Sequence, residues 1–504
     1  MLAQIKSCGL LGVEGILVTV EVDINNGLPG YAVVGLPDAG IKESKERVFS
    51  ALKNSGLRYP LKRITVNLAP ADLRKEGPAY DLPIALGLLV ASEQVRADLD
   101  DSVVFGELSL NGDIKPVNGV LPMVLAAKAH GVKQVILPAR NKTEGAVVDG
   151  MTILPANNIA EVVAHLMGEA PIAPFAIAPE TLLRPDRPRG YIDFSEIKGQ
   201  DNAKRALEIA AAGAHNVLMS GPPGSGKSML AKAFPSILPD LTLDEALEIT
   251  KIYSISGLLT DNIMTERPFR APHHTISNVS LIGGGKIPKP GEVSLAHLGV
   301  LFLDELPEFQ KSALEVLRQP IEDHRVTISR VNATLTYPAS FMLIASMNPC
   351  PCGYYGDPTH NCRCTANEIR KYQGRISGPM LDRMDIRVEV PAADIKELAS
   401  RERGEPSAAI RERVNRARVI QNARFADEPG LYFNAQLEPR HIERYCGLDA
   451  RGRGFMEMTY RKLKLSGRGY HRILKLARTI ADLDGAETIG LLHLSEAVAY
   501  RPAQ

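Results

Sequence analysis

Short apolar runs alternate with polar punctuation through the first third of the chain. Runs such as GILVTVEVDI, YAVVGL, RITVNLAP and KQVILP are rich in β-branched residues and are bounded by Gly, Pro and Asn, which is typical of strands. Between them, residues 42–54 and the segments YDLPIALGLLVASEQV, MVLAAKAHG and IAEVVAHLMG carry apolar residues at helical spacing. The pattern predicts a compact α+β domain over residues 1–168.

The pattern changes twice further along the chain. Residues 169–190 are rich in proline and have no periodicity, which is typical of a linker. From residue 191 to 390, strand and helix patterns alternate as in an α/β domain with a parallel sheet. Residues 391–504 are mainly helical in pattern. We therefore expect an α/β protein with three domains.

Composition and charge limit the partners and the location. The 504 residues carry 59 Lys plus Arg against 58 Asp plus Glu, so an anionic partner would have to meet a local basic surface. The N-terminus lacks a signal-peptide core, and no stretch approaches the roughly 18 apolar residues that span a membrane. The sequence predicts a soluble cytoplasmic protein without a membrane partner.

The segment NVLMSGPPGSGKSMLAKAF joins a short apolar strand to an apolar helix through a glycine-rich loop. The loop fits G-x-x-x-x-G-K-[ST], in which glycines turn backbone N–H groups around phosphates at the positive end of the following helix. Lys227 is predicted to reach the β- and γ-phosphates and Ser228 to bind Mg²⁺. The sequence therefore predicts a P-loop that binds ATP and Mg²⁺. Its residues are Gly221, Pro222, Pro223, Gly224, Ser225, Gly226, Lys227 and Ser228.

A second apolar strand, VLFL, ends in two acidic residues. Asp304 is predicted to hold Mg²⁺, and Glu305 to polarise the attacking water. An ordinary strand that ends in surface acids is the alternative, but its position after the P-loop favours the catalytic interpretation. Asn348 ends a further apolar strand, FMLIASMN, where it is expected to orient the same water.

The order of these motifs, followed by GPMLDRMDIRVEVP, resembles AAA+ ATPases of the magnesium-chelatase and replicative-helicase branch. The resemblance implies that Arg383 enters a neighbouring subunit's active site as an arginine finger and neutralises charge on the γ-phosphate. The alternative for Arg383 is a surface ion pair with Asp382 or Asp385. The resemblance also implies that Arg468, in SGRGYHRILKL, senses nucleotide, with Arg472 as the alternative.

Two N-terminal segments, LRKEGPAYDLPIALGLL and FGELSLNGDIKPVNGVLPMVLAAKAHGVKQVILPARN, resemble the proteolytic domain of Lon-type proteases. The catalytic serine of that family falls on Ala79 and its catalytic lysine on Leu121, so the nucleophile and its activating amine are both missing. The resemblance therefore implies a Lon-protease-like domain that serves assembly or partner docking rather than proteolysis.

Over its whole length the sequence resembles the ComM/YifB family, notably in APHHTISNVSLIGGGKIPKPGEVSLAHLGVLFLDE. This resemblance implies a Lon-protease-like α+β domain, a central AAA+ α/β domain and a C-terminal helical lid of the magnesium-chelatase type. It also implies a homo-hexameric DNA helicase that uses ATP to promote branch migration in natural transformation, on single-stranded, duplex or branched DNA and alongside recombination proteins. A magnesium-chelatase ATPase subunit and a protein-remodelling ATPase are the alternatives. Stimulation of ATP hydrolysis by DNA separates them from the helicase.

Four of the six cysteines lie within one segment, NPCPCGYYGDPTHNCRC. Two disulfides in a secreted chain are one interpretation, but a cytoplasmic location favours thiolate ligands around one tetrahedral Zn²⁺. His360 is near enough in sequence to replace one cysteine, and four reduced loop thiols are the remaining alternative. The predicted zinc ligands in this insertion, residues 350–364, are Cys350, Cys352, Cys362 and Cys364.

Two predicted hairpins carry candidate DNA contacts. In the chelatase-helicase branch the region before LFLDE carries a hairpin that projects into the pore of the ring, and its tip here is GGGKIPKPG with Lys286 and Lys289. The segment HRVTISRVNATLTYP predicts a second hairpin with Arg330 near its turn. Such residues would hold phosphates without reading bases, as a translocating motor requires. Ordinary solvated loop side chains are an equally weighted alternative.

Overall fold

The computed structural model divides the chain into two compact units. The first comprises Met1–Arg184, Thr242–Thr265 and Val331–Thr336, and the second Pro185–Leu241, Glu266–Arg330 and Tyr337–Gln504. The structure describes residues 1–178, 181–183, 190–260, 263–285, 288–330, 333–358, 360–392, 403–428 and 430–501. Within these ranges, no helix has both the length and the apolar character needed to cross a membrane.

A four-stranded sheet lies in the core of the first unit. Its strands are β1 (Leu2–Leu11), β2 (Glu14–Asn25), β3 (Gly30–Val34) and β4 (Arg63–Ala69), in the order β1-β2-β4-β3. β2 pairs antiparallel with β1 and β4, and β3 pairs parallel with β4. Val18, Val20 and Val22 of β2 are fully buried, because alternate residues of a strand point to the same face.

Short strands and helices complete the first unit. β5 (Ser102–Val104), β8 (Gln134–Pro138) and β9 (Thr152–Ala156) form a parallel sheet, and β6 (Glu107–Leu108) pairs antiparallel with β7 (Ile114–Lys115). The helices are Ala39–Lys42, Ser44–Asn54, Asp81–Ala91, Val120–Ala129, Lys142–Ala146, Ile159–Leu166 and Leu243–Ser256. This mixture of helices and strands agrees with the predicted α+β pattern.

The helix Leu243–Ser256 belongs to the first unit, although it follows the P-loop in sequence. Ser254 donates a hydrogen bond to the buried carboxylate of Glu144, and its Oγ accepts the Gly119 N–H at 2.8 Å. Burial raises the pKa of Glu144, and the Ser254 hydrogen bond opposes the shift. The first unit is therefore discontinuous in sequence. The domain boundaries at residues 168, 190 and 390 stay predictions.

A five-stranded parallel sheet forms the centre of the second unit. Its strands are β10 (Val217–Ser220), β11 (Phe269–Arg270), β14 (Val300–Leu303), β17 (Met342–Met347) and β18 (Ile386–Glu389), in the order β11-β14-β17-β10-β18. β14 and β17 are buried along their whole length, as in sheets that helices cover on both faces. The loops that follow parallel strands meet at one edge of the sheet, where such folds bind ligands.

Helices and two small hairpins lie outside this sheet. The hairpins pair β12 (Gly283–Gly284) with β13 (Lys289–Pro290), and β15 (Arg325–Arg330) with β16 (Ala333–Pro338). The helices up to residue 390 are Asp201–Gly213, Lys227–Ala233, Asn278–Ile282, Glu292–Leu295, Lys311–Val316, Arg318–Asp323, Ala366–Gln373 and Gly378–Leu381. The predicted α/β class of this region is confirmed.

The C-terminal part is helical, as predicted. Its helices are Ser407–Arg424, Pro439–Tyr445, Ala450–Lys462, Gly467–Leu483 and Leu491–Ala499. We call Gly467–Leu483 the lid helix. Ile473, Leu476 and Ile480 recur at helical spacing and are buried in the lid helix. Ser466 caps this helix, since its hydroxyl accepts the Gly469 N–H at 3.1 Å.

Candidate functional site

The P-loop connects β10 to the helix Lys227–Ala233 at the carboxyl edge of the parallel sheet. Gly224 and Gly226 have positive φ angles of 76° and 93°, which glycine adopts without steric cost. A Cβ on Gly221 would overlap the carbonyl oxygen of Val390. The glycines therefore permit a turn that larger residues would strain, and the turn leads into the positive end of a helix.

Lys227 lies among oxygen atoms of the P-loop. Its Nζ donates to the carbonyl oxygens of Gly221 at 2.8 Å and Pro222 at 2.7 Å, and lies 3.3 Å from Oδ1 of Asn348. Burial lowers the pKa of Lys227, while the negative charge of Asp304 opposes the shift. The structure thus brings together Lys227 and Asn348, two residues that the sequence predicted for one site.

Two hydroxyl groups hold the carboxylate of Asp304. Ser228 Oγ donates to Oδ2 at 2.8 Å, and the Ser346 hydroxyl donates to Oδ1. Ser346 Oγ also accepts the backbone N–H of Glu305 at 3.1 Å. Carboxylate and hydroxyl oxygens are the ligands that Mg²⁺ prefers, so this donor set fits the ion that the sequence predicted.

Glu305 has an unusual backbone conformation at the end of β14. Its φ is 54°, in the left-handed region that few non-glycine residues adopt. Its side chain is exposed, whereas that of Asp304 is half-buried. Backbone strain of this kind persists where neighbouring groups hold it, and here the Ser346 hydroxyl holds the Glu305 N–H.

Sequence reasoning missed two residues that organise this site. Ser346 is one of them. The feature that could have indicated it is a single hydroxyl side chain in β17, a strand whose six residues are all buried. Gln200 is the other, at φ 63°, immediately before the helix Asp201–Gly213. Its Nε2 donates to Pro391 O at 2.7 Å and lies 3.4 Å from Ser225 O. Gln200 therefore links the P-loop to the segment after β18.

The candidate arginine finger lies at the other edge of the sheet. Ile386 pairs with Val217 at the start of β18 and β10, so Arg383 precedes the amino edge whereas the P-loop follows the carboxyl edge. Arg383 is 5% exposed; its Nη2 lies 2.6 Å from Glu322 Oε1, and its Nη1 donates to Pro379 O at 2.6 Å. The acid that pairs with it is therefore neither of the two neighbours considered from the sequence.

The candidate sensor arginine shares that acid. Arg468 is 72% exposed, and its Nη1 lies 3.6 Å from the same Glu322 Oε1. Arg472, the alternative sensor, pairs with Asp385 at 3.4 Å and is 16% exposed. Glu322 is thus a further residue that sequence reasoning missed, and an acid within RQPIEDHR gives no local signal of two distant arginine partners.

The four cysteines of residues 350–364 converge on one point. Cys350 Sγ lies 3.4 Å from that of Cys352 and 3.7 Å from that of Cys362, and all four sulfurs lie within 4.8 Å of one another. Sulfurs at about 2.3 Å from one tetrahedral Zn²⁺ would be about 3.8 Å apart, whereas disulfide sulfurs are about 2.05 Å apart. The donor set therefore fits zinc and excludes disulfides. His360 stacks on Tyr354 instead, with ring centroids 4.7 Å apart.

The cysteine loop packs directly against the P-loop. A Cβ on Gly353 would lie 2.5 Å from Cδ of Pro223, so the two loops are in van der Waals contact. Gln373 donates to the carbonyl oxygen of Pro349 at 3.0 Å, which fixes the start of the cysteine loop directly after Asn348. The four sulfurs thus belong to a segment that supports both the P-loop and a predicted catalytic residue.

The candidate DNA contacts are described in part. Lys289 is exposed in β13, where it pairs with Gly284 of β12. Tyr337 donates its hydroxyl to Pro288 O at 2.8 Å and so holds this hairpin. Lys286 lies outside the described residues, and Arg330 is the last residue of β15.

The two positions on which the sequence comparison places the Lon serine and lysine lie at the start of a helix and in the buried core. Ala79 precedes the helix Asp81–Ala91, and its carbonyl oxygen accepts the Gly106 N–H at 2.8 Å. Leu121 is fully buried, and its N–H donates to Glu144 at 2.9 Å. Neither position offers a hydroxyl or an amine.

Comparisons with known proteins agree with this arrangement. The family described as "Magnesium chelatase, subunit ChlI" matches residues 193–398, "Subunit ChlI of Mg-chelatase" matches residues 20–141, and "Magnesium chelatase, subunit ChlI C-terminal" matches residues 404–501. The chain is also 46% identical to Competence protein ComM of Haemophilus influenzae, over 99% of this chain and 97% of that one. The chain belongs to the ComM/YifB family. Protein YifB of Escherichia coli is 44% identical over the same shares.

Membership of the ComM/YifB family agrees with both parts of the fold. Lon protease 2 of Bacillus subtilis is 32% identical over 131 residues, which are 26% of this chain and 23% of that protease. The predicted Lon-like and AAA+ parts are therefore both supported by similarity, and the AAA+ magnesium-chelatase match implies ATP and Mg²⁺ as cofactors.

Proposed function

We propose that this protein is an ATP-dependent, ring-forming DNA motor that promotes branch migration during homologous recombination in natural transformation. Similarity to a competence protein over 99% of the chain supports the biological setting. The P-loop, Asp304 and Asn348 lie together at one edge of a parallel sheet, which supports ATP hydrolysis as the source of energy.

The residues of the site have distinct roles in this proposal. Bound ATP supplies the phosphoryl group and bound Mg²⁺ the positive charge that stabilises its transfer. Lys227 would pair with the β- and γ-phosphates, and Ser228 and Asp304 would hold the ion. Glu305 takes up the proton of the attacking water, which Asn348 orients. Gln200 and Ser346 hold these groups in position.

The position of Arg383 is the observation that supports a ring. β10 has four residues, so the two edges of the sheet are about 13 Å apart at 3.3 Å per residue. Arg383 is at the amino edge and its guanidinium is tied to Glu322, so it does not reach its own P-loop. Its phosphate would come from a neighbouring subunit, with Arg468 beside it as sensor. A homo-hexamer is the ring we propose.

We further infer that Cys350, Cys352, Cys362 and Cys364 hold one Zn²⁺. The sulfur spacing and the lack of disulfides among them support this assignment. The ion would fold a loop that is too short to have its own core. We also propose that the Lon-protease-like domain is not proteolytic and serves assembly or partner docking.

One experiment distinguishes this function from its rivals. ATP hydrolysis by the purified protein would be measured alone, with forked DNA, with an unfolded protein, and with a porphyrin plus Mg²⁺. We expect DNA alone to stimulate hydrolysis. Stimulation by unfolded protein would favour a remodelling ATPase, and stimulation by porphyrin would favour a chelatase subunit, which the three matching family descriptions make the second candidate.

The size of the particle in the presence of ATP tests whether the protein forms a ring. Glu305→Gln keeps the shape of the side chain but removes the base, so ATP should stay bound and hold subunits together. Light scattering with ATP should then give about six chains per particle. A monomeric Glu305→Gln variant with ATP bound would contradict the ring.

A further inference from the structure

A small cavity lies at the amino end of the lid helix, Gly467–Leu483, away from the P-loop. Its volume is about 90 Å³, whereas one water needs roughly 10–15 Å³ on the same measure. Ser466, which caps the lid helix, and Gly469 of its first turn line it. Arg387 of β18 and Arg501, two residues after the helix Leu491–Ala499, line it as well. The first backbone N–H groups of a 17-residue helix carry a partial positive charge.

Arg501 is the key residue of this cavity. It is 8% exposed, and its Nη1 is buried without a hydrogen-bond partner among the residues that the structure describes. Its Nη2 lies 3.8 Å from Asp382 Oδ1, which is too long for a hydrogen bond. A methyl group on Gly469 would lie 3.7 Å from the same Nη2, so the guanidinium faces the first turn of the lid helix. A cation at the positive end of a helix dipole is unfavourable unless an anion is present.

Arg387 adds a second unsatisfied cation. Its Nη2 donates to Leu381 O at 2.8 Å, but within the described part of the chain its buried Nε has no partner. Burial lowers the pKa of both Arg387 and Arg501; the charge of Asp382 opposes the shift in both, and the charge of Arg472 adds to it. Asp382 is the one carboxylate among the described residues that line the cavity.

The balance of charge and hydrogen bonds is therefore incomplete. Two guanidinium groups and a helix amino end face one carboxylate, and leaving buried donors unpaired costs free energy. A tetrahedral oxyanion supplies several acceptors at once and matches the fork of an arginine. We propose that this cavity binds a phosphate-sized oxyanion through Arg501, Arg387 and the first turn of the lid helix.

The occupant is an inorganic phosphate or the terminal phosphoryl group of a nucleotide. The cavity is large enough for one phosphoryl group. It is too small for a whole nucleoside, because pockets that enclose ligands of that size have volumes of several hundred Å³. The site is distinct from the predicted sensor, because Arg468 is exposed and does not line the cavity. The inference does not rest on DNA binding or on ATP hydrolysis.

The test is the effect of phosphate on thermal stability at constant ionic strength. Every variant in this experiment also carries Lys227→Ala. Phosphate binding at the P-loop then contributes little to the melting temperature, and it contributes equally in each variant. Inorganic phosphate should raise the melting temperature of this parent chain, sulfate should act similarly, and nitrate should not, because it is planar and carries one charge. Arg501→Met should bind phosphate at least about tenfold more weakly, since a charge-assisted hydrogen bond is lost.

Two controls make the result decisive. Arg461→Met removes an exposed arginine of the neighbouring helix, which pairs with Glu457 at 2.6 Å, and should keep the full phosphate response. In phosphate-free buffer Arg501→Met should be no less stable than the parent, because it removes a buried unpaired charge. Arg501→Lys keeps the charge but loses the forked guanidinium, so it should bind phosphate with intermediate affinity. It replaces Arg501→Met in the test if the Met variant does not fold.

Different results would overturn the proposal or identify the source of the anion. An unchanged phosphate response in Arg501→Met, or in Arg501→Lys where that variant alone folds, would overturn the proposal. So would an equal loss of stability with and without phosphate, since Arg501 would then serve packing alone. ATP added without inorganic phosphate identifies the source: a shift as large as that of phosphate assigns the site to a nucleotide's phosphoryl end, and no shift assigns it to the free anion.

Discussion

At the residue scale, the nucleotide site is a set of hydrogen bonds that fix its charged groups in position. Lys227 is held by loop carbonyl groups, and Asp304 is held by hydroxyls from Ser228 and Ser346. Such groups need little reorganisation when charge develops on a phosphate, which is the usual source of catalytic power in phosphoryl transfer. Single substitutions should therefore have large effects on turnover.

Replacing Lys227 by Ala should lower ATP turnover on the order of 10²- to 10³-fold, because the phosphates lose their cation in a partly buried site. Steady-state ATP hydrolysis and nucleotide binding measure the effect. Lys232→Ala is the matched control, since Lys232 is an exposed lysine on the same helix and should leave both unchanged. Normal turnover in Lys227→Ala would reject the P-loop assignment.

Replacing Ser346 by Ala should raise the Mg²⁺ concentration needed for half-maximal activity and lower turnover, by roughly 10- to 100-fold, as is typical for groups that orient metal ligands. The hydroxyl donates to Asp304 and accepts the Glu305 N–H, so it positions both acidic residues. Ser294→Ala removes another fully buried serine and should not alter the Mg²⁺ dependence. An unchanged Mg²⁺ dependence in Ser346→Ala would show that the hydroxyl only fills space.

Motifs predicted the residues whose chemistry depends on neighbours in sequence, and they missed those that depend on distant partners. The P-loop and Asp304 follow from local patterns, because a glycine turn and an acid after a strand are both local. Glu322 does not, since its importance lies in the arginines that fold against it. Ser346 stood in a recognised strand, but its role became visible only when β14 lay beside β17.

At the element scale, the cysteine loop is the best example of one segment supporting another. Gly353 packs against Pro223, and the loop begins two residues after Asn348. A loop of this length has too little apolar surface to order itself, so a metal ion is the physical reason that it would hold its shape. Substitution of the cysteines should therefore alter the P-loop as well.

Zinc analysis of the purified protein should find about one ion per chain, and Cys350→Ser with Cys352→Ser should lose it. The double variant should also need more ATP for half-maximal activity, because Pro223 loses the support of the loop. Cys446→Ala replaces a buried cysteine outside the cluster and should keep its zinc. Zinc-free protein with full activity would leave the four cysteines as reduced thiols.

The helix Leu243–Ser256 shows a limit of reading elements in sequence order. It lies within residues 191–390, over which the sequence pattern predicts one α/β domain. Its Ser254 bonds with Glu144 and Gly119, which are 110 and 135 residues away. Periodicity can predict that such a helix exists and which face is apolar, but not which distant surface that face will cover.

At the scale of the whole molecule, the proposed ring would divide each active site between the two edges of the parallel sheet. The P-loop is at the carboxyl edge, and Arg383 with Arg468 gathers around Glu322 at the amino edge. In a ring, the amino edge of one subunit would face the carboxyl edge of the next, so each active site would be completed by two chains. An assay that mixes defective subunits tests this directly.

Arg383→Ala and Lys227→Ala should each be inactive alone, yet an equal mixture should recover activity. In a randomly mixed ring, about a quarter of the interfaces join an intact P-loop to an intact arginine, so about a quarter of normal turnover is expected if the sites act independently. Mixing Lys227→Ala with Glu305→Gln gives the control, since both defects fall in the same P-loop site and should not complement each other. No recovery in the first mixture would assign Arg383 to a structural ion pair with Glu322.

Lys286 and Lys289 are the candidate DNA contacts. If Lys286 and Lys289 hold phosphates, replacing both by Ala removes two contacts per subunit and leaves the nucleotide site untouched. Each lost contact lowers the slope of log affinity against log salt by roughly 0.7 to 0.9, so DNA binding should show a visibly shallower salt dependence while basal ATP hydrolysis survives. The loss should be similar for all DNA sequences, because phosphate contacts carry no base information. Lys53→Ala with Lys62→Ala removes two exposed lysines of the first unit and should keep the original slope. An unchanged slope in the Lys286 and Lys289 variant would make both ordinary solvated side chains, and the phosphate contact would then be sought at Arg330.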